Sequence, residues 1–289
     1  MTVSSFCPGH VSCVFQPLSS HMPLGSGSRG LGIRLSLGSR ATVTERSDDV
    51  VDIRIDGHSS SAHITRMTVQ TLAPGRGFDI EIENDLPMSQ GFGTSASGAI
   101  AAGVCVADIV GASRTEAFEA AHIAEVMGGG GLGDVAAIVA GGEVPVRTRA
   151  GFPPRGLVEN PRVSPGRLTL AVLGPMIKTD SVIGSPDMVK RIRDVGEAAL
   201  ERFLGDPTLD NLYTVSNMFS TGAELESPAV RRAIEKLCSR GYRAGMCMLG
   251  NSIFTDAPLD EVRSMLGRGN VRAFGCESSS REIRITRRA

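Results

Sequence analysis

Tryptophan is absent from this chain and aromatic residues make up only 4% of it. That argues against a stacking platform for bases or sugars, which needs exposed rings. The six cysteines (Cys7, Cys13, Cys105, Cys238, Cys247 and Cys276) include no CxxC pair, so neither a zinc-ligand spacing nor a disulfide framework is written in the chain. Buried free thiols in a reducing compartment are the expectation. Net charge is only -1, with a sequence pI of about 6.5. No global basic field is present to hold nucleic acid or an anionic membrane. Long apolar runs are missing too. The run 99–110 is interrupted by Gly103 and Asp108 and is too short to span a bilayer. No basic segment followed by an apolar stretch opens the chain, so a cytoplasmic location is expected.

What is present is 289 residues, 41% hydrophobic and 21% charged, with 35 glycines. This suits one large or two small domains around a sizeable core. The most informative stretch is Pro87-Met88-Ser89-Gln90-Gly91-Phe92-Gly93-Thr94-Ser95-Ala96-Ser97-Gly98. It follows an alternating run at 78–82 that reads as a strand, and it leads into the small-residue apolar run 96–110, which reads as a buried helix. A glycine-rich turn with hydroxyls at a helix N-terminus is an anion site: unpaired backbone N–H groups and the helix dipole point at the ligand. No lysine follows Gly93, so this is not the Walker loop, and there is no glycine at 96 to complete a dinucleotide fingerprint. The plainer reading is a β-to-α connection with Thr94 as N-cap.

The rest of the chain is read as follows. Strands at 3–6 and 11–15 flank a Cys7-Pro8-Gly9-His10 turn, and residues 25–32 form a second glycine-rich loop. Strands follow at 33–37, 41–45 and 50–55, so the first part is mostly sheet as far as Gly93. Ser113-Arg114-Thr115-Glu116 is a capping box that opens a helix to about Met127. Another helix starts near Asp134, and 143–147 is a short strand. The segment 151–166, with four prolines and three glycines, is the candidate linker. Beyond it come a strand at 167–173, helices opening at Ser185-Pro186, near Leu209 and at Ser227-Pro228, strands at 244–249 and 252–255, a helix at 258–266, and strands at 271–276 and 282–285. This is an α+β pattern.

His122 and Glu125 are three apart on one predicted helix and share a face, with Glu119 three before them. Asp134 comes nine residues after Glu125, behind a glycine-rich turn. Carboxylates beside hydroxyls and a phosphate loop suit phosphoryl transfer, in which positioning and charge neutralisation do most of the work. Singly, Glu125 reads as a solvated charge and Asp134 as an N-cap. Together with the loop they read as a site.

Three motifs carry a resemblance to the GHMP kinase superfamily. They are the 87–97 loop, Glu125 followed by Asp134, and Cys7-Pro8-Gly9-His10-Val11, which is similar to the family's Ala-Pro-Gly-Lys strand. His10 stands where that family has lysine, and the segment 244–251 keeps only scattered glycines of its C-terminal motif. Pro8-Gly9-His10-Val11, Gly27-Ser28-Arg29-Gly30, Ala121-His122-Ile123-Ala124-Glu125-Val126, Gly131-Leu132-Gly133-Asp134-Val135 and Met246-Cys247-Met248-Leu249-Gly250 together resemble the archaeal pantoate kinase family, which phosphorylates the 4-hydroxyl of pantoate with ATP on a route to coenzyme A. Other small acceptors (homoserine, shikimate, mevalonate) and a non-catalytic nucleotide sensor are the alternatives.

The resemblance implies a two-domain α+β fold. Residues 1–155 would form a ribosomal protein S5 domain 2-like part with the phosphate loop, and 156–289 a ferredoxin-like part. It implies ATP and Mg²⁺, with Pro87, Gly91, Gly93, Thr94, Ser95, Ala96 and Ser97 around the phosphates. Ser95 and Glu125 would hold the metal, and Asp134 would orient or deprotonate the acceptor hydroxyl. A hydroxy acid also needs partners for its carboxylate, for which the candidates are Ser28, Arg29, His122 and Arg147. A small-molecule substrate is expected, with neither nucleic acid nor membrane as partner, and a homodimer by analogy.

Overall fold

The computed structural model describes residues 1–129, 132–175, 186–267 and 271–287. Two sheets organise it. The larger has eight strands, and two of them are unusually long: β1 (Thr2–Leu18) and β2 (Gly27–Glu45). Next come β3 (Val51–Ile55), β4 (His58–Ser59) and β5 (Phe78–Asn84), then β6 (Val146–Arg149), β7 (Leu157–Glu159) and, at the far end of the chain, β12 (Arg284–Arg287). Its main order is β12-β1-β2-β5-β3-β4. The pairing of β3 with β5 is parallel, with helix α1 (His63–Leu72) crossing between them. The second sheet holds β8 (Arg167–Val172), β9 (Ala244–Cys247), β10 (Ser252–Thr255) and β11 (Arg272–Glu277), in the order β11-β8-β10-β9 and antiparallel throughout. Numbered within itself this is the 4-1-3-2 order of a ferredoxin-like unit. The unit's helices are α5 (Pro186–Gly205), α6 (Leu209–Gly222), α7 (Pro228–Cys238) and α8 (Leu259–Leu266). No helix among the described residues is long and apolar enough to cross a membrane.

The two long strands serve two cores. Val3, Cys7, Ala41 and Val43 pack with Ile53, Ile80 and Ile82 under α2 (Thr94–Val110) and α3 (Arg114–Met127). Val11, Val14, Phe15, Leu31, Ile33 and Leu35 pack instead with the second sheet and its helices, against Leu170, Phe203, Phe219 and Phe254. The change of core coincides with register shifts between Pro8 and His10 and between Ser12 and Val14. A bulge reverses which face the following side chains occupy. His10 and Ser12 therefore sit where the strand passes from one core to the other.

Several local expectations are corrected. Residues 3–15 are one bulged strand, not two strands around a turn, and β2 begins inside the supposed 25–32 loop. In both places cross-strand pairing overrides local turn chemistry. Helix α1 lies in what was read as a purely β region; its apolar positions are few, with Thr65, Thr68 and Val69 its buried residues. Part of the 151–166 segment is β7, paired with β6. Ser185 lies outside the described residues. The Ser113–Glu116 capping box is present with both of its hydrogen bonds, and Ser227 caps α7 through the Val230 amide. All six cysteines are free and five are buried, Cys238 being the exposed one.

Candidate active site

The loop after β5 ends on Gly93, which is the N-cap of α2 in the left-handed region at φ 66°; Thr94 is the first helical residue and not the cap. Glycine is required here because a side chain at that φ is strained. The cap has no side-chain acceptor. The first-turn amides of Thr94, Ser95 and Ala96 thus keep no side-chain partner, as an anion site demands. Ser95 is exposed, whereas Thr94 and Ser97 are buried. Ser97 has its polar groups engaged within the protein. Its amide donates to Gly93 O at 2.9 Å, and its hydroxyl lies 2.6 Å from Ser39 Oγ, which donates to Asn84 Oδ1 at 2.7 Å. Ser97 braces the helix start against β2 and β5. Pro87 is half-buried at the entrance to the loop.

The loop is backed from the second sheet. Gly91 (φ 75°) leaves no room for a side chain, since a Cβ there would stand 2.7 Å from the Met248 carbonyl oxygen; one on Gly250 would stand 2.2 Å from Gln90 O. Met248 N donates to Ser12 O at 3.2 Å, and Gln90 Nε2 to Gly174 O at 3.2 Å. The glycines kept in the degenerate 244–251 segment are thus partly explained: Gly250 is where two backbones touch.

A second cluster forms where α3 and α4 (Asp134–Ala140) meet β1, β2 and β6. Asp134 opens α4. Its Oδ1 accepts from His10 Nδ1 at 2.8 Å and from Ser12 Oγ at 3.4 Å, and its side chain is 21% exposed. Burial works against its charge, yet the His10 hydrogen bond and nearby Arg147 hold its pKa below the ordinary carboxylate value. Glu125, on α3, is buried and accepts a long 3.5 Å contact from Val135 N, with the Asp134 backbone also acting on it. Burial first, then the charge of Asp134, push its pKa up to about 8. Two carboxyl groups side by side with opposite displacements are the usual sign of divided roles. His10 is fully buried, and burial, despite Asp134, lowers its pKa, so the ring is neutral.

Around these lie buried polar atoms without partners among the described residues. Arg147 is 1% exposed; its Nε donates to Ser28 O at 3.2 Å, while Nη1 and Nη2 find no acceptor. Ser28 Oγ is unpartnered too. Gly133 makes room for both, since a Cβ there would meet Ser28 Oγ at 2.3 Å and Arg147 Nε at 2.7 Å. His122 donates from Nε2 to Ser26 O at 3.0 Å with the Pro23 carbonyl also near the ring, and its Nδ1 makes no hydrogen bond among the described residues. Native interiors rarely leave so many polar atoms unpaired in one place, and a polar ligand is the physical remedy. Arg29 is not brought to this cluster. Its guanidinium binds Thr148 O, Gln16 Oε1 and Glu197 Oε1, bridging to α5. The alternation along β2 sends Ser28 and Arg29 to opposite faces.

Sequence reasoning missed two features. One is the His10–Asp134 contact, which only pairing across the fold creates. The other is a cavity of about 250 Å³ beside Thr94 and Ser95. Ile55, Ile64, Ile82 and Met88 give it apolar walls, with Ser60 and Asn84 at its polar edge. Part of its lining, Ser60 to Thr65, comes from the unforeseen segment that leads into α1.

Magnesium is the metal that such a fold implies. The donor set here fits it: a buried carboxyl that is costly to ionise alone, a second carboxylate and a hydroxyl at a phosphate site. Magnesium binds through one or two carboxylates plus substrate phosphates and keeps its waters.

The model of the GHMP kinases N-terminal domain matches residues 59–142. A pantoate kinase of Methanospirillum hungatei is 30% identical over 259 residues, covering 87% of this chain and 86% of its own. A pantoate kinase of Thermococcus kodakarensis is 28% identical over 287 residues, covering 94% of each. Among solved structures, a phosphotransferase related to the CoA biosynthesis pathway superposes with a TM-score of 0.89 at 25% identity, over 99% of both chains.

Proposed function

The chain belongs to the pantoate kinase family of GHMP kinases, and from that premise we propose that it transfers the γ-phosphoryl group of ATP to the 4-hydroxyl of pantoate, giving 4-phosphopantoate. The observation that carries the acceptor is the group of unpaired buried atoms next to Asp134: Arg147 Nη1 and Nη2, Ser28 Oγ and His122 Nδ1. Pantoate has a carboxylate and a hydroxyl at one end and the reacting hydroxyl at the other. Arg147 and Ser28 receive the carboxylate through charge-assisted bonds, and His122 Nδ1 accepts from the adjacent hydroxyl. The 4-hydroxyl then faces Asp134.

In this mechanism the amides at the start of α2, from the Gly91 loop to Ala96, cradle the phosphates. The 250 Å³ cavity beside them takes the nucleoside. Ser95 and Glu125 would hold Mg²⁺, which would neutralise phosphate charge. Asp134 orients the acceptor hydroxyl in line and takes or directs its proton. Most of the catalytic gain is positional, so the reaction depends on both the loop and Asp134 being rigidly placed. The part up to residue 155 carries these groups. The part from 156 supplies the ferredoxin-like sheet that backs the loop, while β7 and β12 cross that line to join the first sheet.

The test is ADP release with Mg²⁺-ATP across pantoate, pantothenate, homoserine, shikimate and mevalonate, with the product identified by mass. Phosphopantoate formation by the wild type is expected. Asp134→Asn should lower kcat by at least about 100-fold, as expected for loss of a general base, while the KM for ATP stays within a few-fold. Turnover confined to another acceptor overturns the substrate assignment.

A further inference from the structure

We infer that His10 is a positioning residue for the transfer, a short neutral bridge that fixes Asp134 relative to the phosphate loop. The inference rests on the kinase reading above and adds a residue to it. Two sets of contacts meet on this one side chain and its backbone. On the loop side, His10 N donates to Phe92 O at 3.1 Å. Gly93, the N-cap of α2, lies so close that a Cβ on it would stand 2.9 Å from His10 O and 3.0 Å from His10 N. On the acceptor side, His10 Nδ1 lies 2.8 Å from Asp134 Oδ1. The loop that holds the phosphates and the carboxylate that addresses the hydroxyl are thus tied to the same residue of β1.

The protonation of the ring follows from its surroundings. An ionised carboxylate only accepts, so Nδ1 carries the proton. Nε2 is buried without a partner and lies against Gly32, where an added Cβ would stand 2.3 Å from it. A cationic ring would bury an Nε2–H with nothing to receive it, beside two further cations, Arg34 from β2 and Arg147 from β6. The neutral ring leaves only a lone pair unmet. Asp134 Oδ1 takes both His10 and Ser12. The carboxylate is held by one oxygen, and Oδ2 is presented to the acceptor.

A lysine, which the related superfamily motif has here, is a mobile point charge on a four-carbon stem. A histidine on a bulged strand is rigid and carries no charge. The arrangement therefore places Asp134 without pairing it to a permanent cation, which leaves Arg147 as the cation shared by the carboxylates and the substrate.

Two substitutions separate donation from packing. His10→Asn keeps an N–H near the Nδ1 position and loses ring volume. His10→Leu keeps volume and loses the donor. With whichever acceptor the wild type turns over, Leu should lower kcat on the order of 100-fold, the scale of a misplacement of about 1 Å, with KM for ATP and acceptor within about 3-fold. Asn should recover most of that loss even if its melting temperature is the lower of the two. Leu equal to or better than Asn, or losses confined to KM, would overturn the positioning role while leaving the kinase reading intact. A wild type that transfers phosphate to no acceptor sinks the kinase reading instead. A readout without turnover covers that case: a downfield imidazole N–H signal, absent from His10→Asn, that moves in Asp134→Asn. A signal indifferent to Asp134→Asn would overturn the bridge.

Discussion

Replacing Glu125 by glutamine in metal-free protein should remove a pH dependence that the wild type carries. Glu125 is 3% exposed, and burial together with Asp134 raises its pKa from 4.5 to about 8. Between those values the folded protein binds a proton that the unfolded chain has released. Stability therefore falls as pH rises through the window, and the loss is complete once pH passes the folded value. At about 1.4 kcal/mol per unit the shift sets a ceiling of roughly 5 kcal/mol. Glutamine keeps the volume but buries amide donors, a cost of about 1–3 kcal/mol that does not change with pH. Absolute stabilities are thus a poor guide, and the difference between the two proteins as a function of pH is the measurement. His10 and His122, whose pKa values are both lowered by burial, destabilise the fold only as pH falls below about 6.5, and they do so in both proteins, so they cancel. Thermal melts in EDTA from pH 5 to 8.5 should show the variant gaining on the wild type by on the order of 5–10 °C across the range. Parallel curves would refute the account of Glu125 as a carboxyl held neutral until a cation arrives.

Two further predictions follow from the same geometry. Arg147→Lys keeps the charge but loses the fork, so the KM for the acceptor should rise by at least about 10-fold while that for ATP stays within about 3-fold in steady-state assays. Gly91→Ala forces a side chain at φ 75° against the Met248 carbonyl. A strain of about 1–3 kcal/mol should lower the melting temperature by several degrees and raise the KM for ATP, with the acceptor KM unchanged.

The parts of this site that could be read from the chain are those built locally. A glycine turn before a small-residue helix, a capping box, and His122 and Glu125 at helical spacing are decided within a few residues, and each is in place. What could not be read depends on partners far away. His10 faces Asp134 because β1 bulges against β2, and no local signal distinguishes a bulge at Pro8-Gly9 from a turn. Arg147 was one of two indistinguishable arginines; two apart on β6 they would share a face, but a register shift between them leaves Arg147 buried and Arg149 at the surface, donating to Pro154 O. Ser28 and Arg29 looked equivalent until the strand's alternation separated them. The cavity beside Thr94 and Ser95 escaped notice because α1 has a weak apolar signature and the cavity walls come from three separate segments.

The outer edge of β1 is closed by β12, so that Val3 pairs with Arg287 and Phe6 with Arg284. The strand that carries His10 precedes the other described elements in the chain and β12 follows them, so the two pair only after the intervening segments are made. Until then its edge offers unpaired backbone groups to any passing strand. Joining partners so distant along the chain also makes folding slow. The edge of β1 is thus open to wrong pairing for as long as β12 is absent. Slowing translation would lengthen that exposure, and truncation before residue 284 would make it permanent.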